Sequence, residues 1–111
     1  MAKVPHCDQS IVEAAKVAAY LLSATHPIGR AKARFFKQFG FREDAPEELT
    51  RALLLHVRDN TVANTEMSAY GTKYRVDGPL RSPDGRNPSV SSVWIILDGE
   101  TIPRLVTAFP C

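Results

Sequence analysis

Hydrophobic positions recur at helical spacing in the first half of the chain and at alternating spacing in the second half. The helical pattern predicts three helices, over residues 10–22, 29–39 and 44–58. In the second segment, Ala31, Phe35 and Phe39 form an apolar stripe that we expect to face the rest of the protein. In the third segment, His56 falls among the apolar positions, so it belongs on or near the buried side.

Residues with capping chemistry mark the ends of these helices. Asp8 or Ser10 can accept hydrogen bonds from backbone N–H groups at the start of the first helix. Gly40 is placed to end the second helix in the left-handed conformation. Asp44 can cap the third helix, with Glu47 reaching back to the cap.

Alternating polar and apolar residues replace the helical pattern after Asn60. This alternation predicts strands over residues 61–67, 70–76, 90–97 and 101–109. The third strand is apolar on both sides of Trp94, which is typical of a central strand. Asp98 and Gly99 form a hairpin turn signal between the last two strands. We therefore expect four strands that follow one another as a meander.

Helices that precede an antiparallel sheet are typical of two-layer α+β proteins. We expect about three N-terminal helices packed on one face of a four-stranded antiparallel sheet. With 111 residues the chain can bury a substantial core, and we expect a single domain over residues 1–111. Residues 1–9 carry no such pattern, and we expect them to form a flexible N-terminal arm.

Positive charge is concentrated in the second predicted helix. The net charge is only +2, but Arg30, Lys32, Arg34 and Lys37 follow one another without an intervening acid. The two arginines and Lys37 recur at helical spacing and make one basic stripe. Such a stripe can hold phosphate groups, although a solvated helix face is its more common role.

Two histidines are candidates for proton transfer. His26 lies in the loop before the basic helix, where it can act as a general acid or base, or can be solvated or cap the helix. His56 lies on an apolar helix face, where a core histidine with a hydrogen-bond partner is more common than a catalytic one.

The predicted sheet and the loop after its second strand carry further cations. Lys73 and Arg75 project from the strand face opposite Tyr70, and the loop contributes Arg81 and Arg86. Cations beside tyrosine side chains suit RNA, because the cations can bind its phosphate backbone and the tyrosine rings can stack against its bases. The alternative is ordinary surface charge.

Several function classes lack their motifs in this sequence. It has no metal-ligand spacing, no glycine-rich phosphate loop and no GxSxG turn, which argues against metal-dependent hydrolases, kinases and serine hydrolases, and no cofactor is indicated. The cysteines, Cys7 and Cys111, are expected to be free thiols. Neither a signal peptide nor a membrane span is evident, so we expect a soluble, cytoplasmic protein.

Four sequence motifs carry a resemblance to an uncharacterised bacterial domain family. They read YLLSATHPIGRAKARFF, YGTKYRVDGPL, SVWIILDG and PRLVTAFP, and the resemblance runs from about Ala14 to Pro110. More remotely, the order of helices and strands resembles the superfamily of small RNase toxins that includes barnase, EndoU, the tRNase colicins and RelE.

The remote resemblance implies RNA cleavage without a metal ion in a bacterial toxin–antitoxin or polymorphic-toxin system. The usual pattern of that superfamily has a histidine and basic residues in the helical part, which His26, Lys32 and Arg34 match. It also has a hydroxyl residue on the last strands, which Thr107 matches. The sequence departs from better-known members because Arg104 is the only basic residue near Thr107. A cognate antitoxin or immunity protein is the partner that this resemblance implies.

The resulting hypothesis is an endoribonuclease in which the RNA 2′-OH attacks the neighbouring phosphate. The residues expected to carry catalysis are His26, Lys32, Arg34, Lys73, Tyr70 and Thr107, with His56 as another partner for proton transfer. The residues expected to bind substrate are Arg30, Arg75, Arg81 and Arg86. The alternative is a non-catalytic module that binds RNA, a nucleotide or a protein. A homodimer formed through the last strand's edge is a further alternative.

Overall fold

The computed structural model describes residues 2–23, 25, 26 and 29–111. The helical elements in this part of the chain are a 3₁₀ turn at Cys7–Gln9, α1 at Ala14–Lys16 with a π-helical continuation at Val17–Leu21, α2 at Gly29–Gln38 and α3 at Pro46–Asp59. The strands are β1 at Val62–Met67, β2 at Gly71–Pro79, β3 at Ser89–Leu97 and β4 at Arg104–Pro110.

The four strands form one antiparallel sheet in the order β1-β2-β3-β4. The helices precede the sheet in the chain, so the predicted α+β fold and its meander are confirmed. Trp94 on β3 is fully buried and lies opposite Tyr74 of β2 and Leu105 of β4. Phe36 of α2 and Leu53 of α3 are buried in the same core cluster as Trp94, so these helices cover the sheet face that carries Trp94.

The third predicted helix matches the structure closely. Its buried residues all lie on the predicted face: Leu49, Ala52, Leu53, His56 and Val57. The predicted Asp44 cap is wrong, because Asp44 accepts hydrogen bonds from the Arg42 guanidinium instead. Ala45 occupies the cap position without a side-chain hydrogen bond, and Pro46 begins the helix.

The first helix begins later than the sequence predicts. Ile11 forms an isolated parallel bridge with Arg104, its N–H donating to Pro103 O at 2.9 Å and its carbonyl accepting from Leu105 N at 3.0 Å. These bonds hold the chain extended beside β4, so neither Asp8 nor Ser10 caps a helix at this point, and α1 starts only after Glu13. The bridge also occupies part of the outer edge of β4.

The second helix begins at the predicted residue and ends one residue earlier than predicted, and it buries a different face. Ala33 and Phe36 are buried, whereas Ala31 is exposed and Phe35 is half-buried. The predicted apolar stripe is therefore wrong by roughly one position around the helix. Gly40 follows with a φ of 101°, as expected for a left-handed helix stop.

The N-terminal residues lie against the sheet and α3. Val4 is 2% exposed and belongs to the core cluster. Val62 N–H donates to Ala2 O at 2.8 Å, and the Lys3 ammonium donates to Arg58 O at 2.5 Å. Residues 2–4, which fall in the segment expected to be an arm, thus contact both β1 and α3. None of the described helices is long and apolar enough to cross a membrane.

His56 is a buried core residue within a closed hydrogen-bond network. Its Nε2 donates to Gly78 O at 3.0 Å, and its Nδ1 accepts from the Ser92 hydroxyl at 2.8 Å. The Trp94 indole N–H donates to the same hydroxyl at 2.8 Å. Because both ring nitrogens are engaged inside the core, His56 supports the fold and is not available to a substrate.

We expect the free energy of unfolding to decrease as the pH falls below about 6.5, the ordinary histidine value. Burial lowers the pKa of His56 and outweighs the opposing effect of its backbone hydrogen bonds. Below pH 6.5 the unfolded chain therefore binds a proton at this residue that the folded chain does not. Urea unfolding between pH 5 and 7.5 measures this slope. The matched variant His6→Asn, at an exposed position, should retain it, and a wild-type stability independent of pH in that range would contradict the assignment.

Candidate functional site

An open cleft of about 730 Å³ lies where the first helical segment, the start of α2 and strand β4 meet. The residues that line it are Glu13, Ala15, Lys16, Ala19, Tyr20, His26, Lys32, Val106 and Thr107. Three small apolar side chains lie among these polar residues. The cleft therefore offers cations, hydroxyls and a carboxylate beside a partly apolar wall.

Three polar groups converge inside this cleft. The Lys32 ammonium donates to the Tyr20 hydroxyl oxygen at 2.5 Å and to Thr107 Oγ1 at 2.9 Å. The two hydroxyls lie 3.5 Å apart. We call Tyr20, Lys32 and Thr107 the polar triad. Its members come from three separate elements, so the tertiary fold creates it.

A π-helical turn presents Tyr20 to the cleft. Leu22 N–H donates to Val17 O at 2.9 Å, which is the i to i+5 bond of a π-helix. Val17, Leu21 and Leu22 are fully buried on one side of this wide turn. Tyr20 is left half-buried on the side that faces Lys32, and such turns are frequent at functional sites.

A β-bulge presents Thr107. Val93 pairs with Thr107, but the next pair along is Trp94 with Leu105, so Val106 is an additional residue in β4. A bulge locally redirects side chains and often lies beside an active site. Here it allows Thr107 to reach Lys32 while Leu105 and Ala108 stay buried in the core.

Gly29 brings α2 close enough for Lys32 to reach the other two groups. A Cβ atom at Gly29 would lie 2.1 Å from the Tyr20 carbonyl oxygen and 3.0 Å from the Tyr20 ring. Only glycine fits against the π-helical turn at this distance. Lys32 follows one helical turn later and therefore projects toward the Tyr20 hydroxyl.

We expect Gly29→Ala to lower the free energy of unfolding by about 1–3 kcal/mol, the usual cost of overpacking. The added methyl group would push α2 away from Tyr20 and separate Lys32 from the Tyr20 hydroxyl. Urea unfolding measures the loss of stability. An activity assay measures the effect of separating Lys32 from the Tyr20 hydroxyl. Ala31→Gly is the control, because it weakens the same helix by about 1 kcal/mol without altering this contact. A Gly29→Ala protein as stable as the wild type would contradict the close approach.

His26 supports the start of α2. Its Nδ1 accepts from Gly29 N–H at 3.0 Å, and its ring meets the Tyr20 ring edge-to-face at a centroid distance of 5.0 Å. Nδ1 therefore carries no proton in this arrangement. This hydrogen bond and the ring contact hold the start of α2 and Tyr20 in place.

The surrounding charges act on Tyr20. Burial raises the pKa of its hydroxyl, but the hydrogen bonds from Lys32 and Thr107 and the charges of Lys32 and Lys16 outweigh that effect. The net pKa lies below the ordinary value of 10.0. The two ammonium groups lie 4.9 and 5.7 Å from the Tyr20 ring centroid. Tyr20 is consequently a better proton donor than an ordinary tyrosine.

The structure brings together only part of the predicted site. Lys32, Thr107 and His26 line the cleft, but Arg34 and Arg30 line a separate groove on the outer side of α2. Lys73 lies on the sheet face turned away from the helices, because the adjacent Tyr74 faces the core.

Tyr70, in the turn between β1 and β2, is 77% exposed and does not line the cleft. The structure therefore does not form the composite site that combined Tyr70, Arg34 and Lys73 with His26.

Three cations expected to bind substrate have carboxylate partners. Arg75 lies 3.2 Å from Asp77, Arg81 lies 3.3 Å from Asp59, and Arg86 lies 2.6 Å from Asp84. Arg86 also donates to Gln38 O and stacks over the Phe39 ring at 4.5 Å. These contacts bind the loop before β3 to the end of α2, which gives Arg86 a structural task.

Three polar cleft residues, Tyr20, Glu13 and Lys16, were not selected from the sequence pattern. All three lie off the apolar stripe of the first predicted helix, and that shared position was the available signal. As for metal binding, the described residues contain no cluster of three or more His, Cys, Asp or Glu side chains that could hold an ion. The chemistry of the cleft therefore rests on hydroxyl, ammonium, imidazole and carboxylate groups.

Comparison with known proteins gives a fold neighbour and a family. A search of curated protein sequences finds no significant match. One solved structure, titled "Contact-dependent growth inhibition toxin - immunity protein complex from Klebsiella pneumoniae 342", contains a chain with a similar fold. The TM-score is 0.72 at 18% identity, covering 92% of this chain and 100% of that one. Residues 3–111 match the family described as "Domain of unknown function (DUF6883)", and the chain belongs to that family.

Proposed function

We propose that this protein is a metal-independent endoribonuclease of the toxin type, from a bacterial toxin–antitoxin or polymorphic-toxin system. The observation that carries the proposal is the Tyr20 hydroxyl held by the Lys32 ammonium, with Thr107 beside both, in an open cleft. This arrangement combines a proton donor with a fixed positive charge, which cleavage of a phosphodiester requires. The cleft is also lined by Lys16, which adds attraction for an anionic backbone.

The reaction would be an internal transfer at phosphorus. The ribose 2′ oxygen forms a bond to phosphorus, and the bond from phosphorus to the 5′ oxygen of the next nucleotide breaks. The products are a 2′,3′-cyclic phosphate and a 5′-hydroxyl, with no other reactant. Tyr20 donates a proton to the departing 5′ oxygen, and Lys32 stabilises both the phenolate and the charge on the phosphoryl oxygens. Thr107 fixes the position of the Lys32 ammonium.

His26 has a different role in this proposal from the one expected from the sequence. Its Nδ1 accepts the Gly29 N–H and is not available to take a proton from the 2′-OH. Its ring contact with Tyr20 and its cap on α2 keep the polar triad aligned. We assign it to positioning.

A cognate antitoxin or immunity protein is part of the same proposal. The fold neighbour comes from a complex of a toxin with its immunity protein. A toxin of this type should arrest bacterial growth when its gene is expressed alone, and co-expression of a cognate antitoxin or immunity protein should restore growth. Normal growth at high expression levels would count against a toxin.

RNA cleavage in the presence of EDTA is the direct test of the proposed activity. Purified protein is incubated with total bacterial RNA, and the fragment ends are identified chemically. We expect fragments with 2′,3′-cyclic phosphate and 5′-hydroxyl ends at an unchanged rate in EDTA. Intact RNA, or cleavage that EDTA abolishes, would overturn the proposal.

A second candidate, a module that binds without catalysis, is favoured by one observation. Arg30 and Arg34 are exposed, one helical turn apart, and neither contacts a carboxylate among the described residues. An unpaired arginine pair can bind phosphates or an acidic partner. RNA that is bound in an Arg30- and Arg34-dependent manner but never cleaved would support this candidate and exclude the endoribonuclease.

A further inference from the structure

The proposed endoribonuclease lacks one component, a base that takes the proton from the 2′-OH. Lys32 is a cation, and Tyr20 is the proton donor. His26 uses its Nδ1 to accept the Gly29 N–H. The remaining proton acceptor among the described residues that line the cleft is the carboxylate of Glu13. This inference rests on the proposed function, because it assigns a role within that reaction.

The position of Glu13 suits a base that works opposite Tyr20. Glu13 immediately precedes α1, and Tyr20 lies seven positions further along the same helical segment. Both residues line the cleft, Glu13 before the start of this segment and Tyr20 near its end. A phosphodiester bound between them would have its attacking oxygen beside Glu13 and its leaving oxygen beside Tyr20.

The charges around Glu13 come from two elements. Arg104 of β4 lies 3.6 Å from its carboxylate, and Lys16 lines the same cleft from α1. The Glu13 side chain remains 64% exposed, so the carboxylate is accessible to a ligand. Arg104 also lies 3.4 Å from Glu100, which is in the turn before β4 and does not line the cleft. Glu13 and Glu100 therefore share one ion-pair partner but differ in their access to the cleft.

We propose that Glu13 is a catalytic residue, the general base that accepts the proton of the 2′-OH. The proton moves from the 2′ oxygen to the Glu13 carboxylate as the bond to phosphorus forms. Tyr20 gives its own proton to the leaving 5′ oxygen. Arg104 holds the carboxylate at the rim of the cleft, with Lys16 beside the incoming phosphate.

The experiment compares Glu13→Gln with Glu100→Gln in the full chain. Each substitution removes one carboxylate from Arg104, so a purely structural role predicts the same small effect for both. We expect Glu13→Gln to lower kcat for RNA cleavage by about 100-fold or more, the usual contribution of a general base. Glu100→Gln should retain the wild-type rate, and thermal unfolding should show that the two variants are equally stable. The wild-type rate should also fall at acidic pH, and this fall should be absent from Glu13→Gln.

Each outcome separates this inference from the function on which it rests. If wild-type protein cleaves RNA and Glu13→Gln cleaves within threefold of it, Glu13 is not the base and the endoribonuclease proposal stands. Equal losses in Glu13→Gln and Glu100→Gln overturn the inference by reducing Glu13 to an ion-pair role. An acidic fall in rate that persists in Glu13→Gln assigns the proton to another group. Absence of cleavage by the wild type removes both proposals.

Discussion

Replacing Tyr20 by phenylalanine is expected to lower kcat for RNA cleavage by roughly 100- to 10,000-fold, the range of general acid catalysis. The substitution removes the proton that the leaving 5′ oxygen needs and keeps the ring that packs against His26. KM should change much less, because Lys16 and Lys32 still attract the phosphate. Initial rates on a labelled RNA over a range of concentrations separate the two constants.

The control for this variant is Tyr74→Phe. Tyr74 lies on β2 opposite Trp94 and packs against the core without lining the cleft. The Tyr74→Phe variant lacks a tyrosine hydroxyl, as Tyr20→Phe does, but it should cleave RNA at the wild-type rate. Wild-type rates for Tyr20→Phe, or an equal loss in both variants, would contradict the role given to Tyr20.

Replacing Lys32 by alanine is expected to lower kcat by roughly 100- to 1,000-fold, the scale on which loss of one preorganised charge or donor affects catalysis. It should also change the pH dependence of any remaining activity. The hydrogen bond and charge of Lys32 lower the pKa of Tyr20, so their loss raises it. Because Tyr20 must be protonated to act, the alkaline fall in rate should move to higher pH. Full pH–rate profiles of both proteins measure this shift.

Arg51→Ala is the matched control for Lys32→Ala. Arg51 is an exposed cation on α3 and lies outside the cleft. Arg51→Ala therefore removes one positive charge, as Lys32→Ala does, but leaves the cleft unchanged. Its cleavage rate and pH profile should remain those of the wild type. An alkaline limb that stays in place, or moves to lower pH, in Lys32→Ala would contradict the coupling between Lys32 and Tyr20.

The elements that the sequence predicts well are those in which local periodicity and tertiary packing agree. The buried face of α3 follows from its apolar spacing alone, and His56 falls on it as expected. The start of α1 does not follow from spacing, because Ile11 gives its backbone hydrogen bonds to the edge of β4. A pairing between positions 11 and 104 is a long-range contact that no local pattern contains.

The candidate site shows the same division. Lys32 and Thr107 could be selected from the sequence by residue type and predicted element, and the structure places both in the cleft. Arg34 could have been excluded, because residues two positions apart on a helix point in nearly opposite directions. Tyr20 could not be placed, since its direction depends on a π-helical turn that departs from the 3.6-residue period.

The π-helical turn and the bulge at Val106 each contain one residue more than regular structure requires. Loss of a single codon at either place would restore the ordinary hydrogen-bonding period and turn Tyr20 or Thr107 away from Lys32. The buried residues on each element, such as Leu21 and Ala108, could still pack as before. We therefore expect that one in-frame deletion at either place would separate the members of the polar triad while the scaffold stays folded.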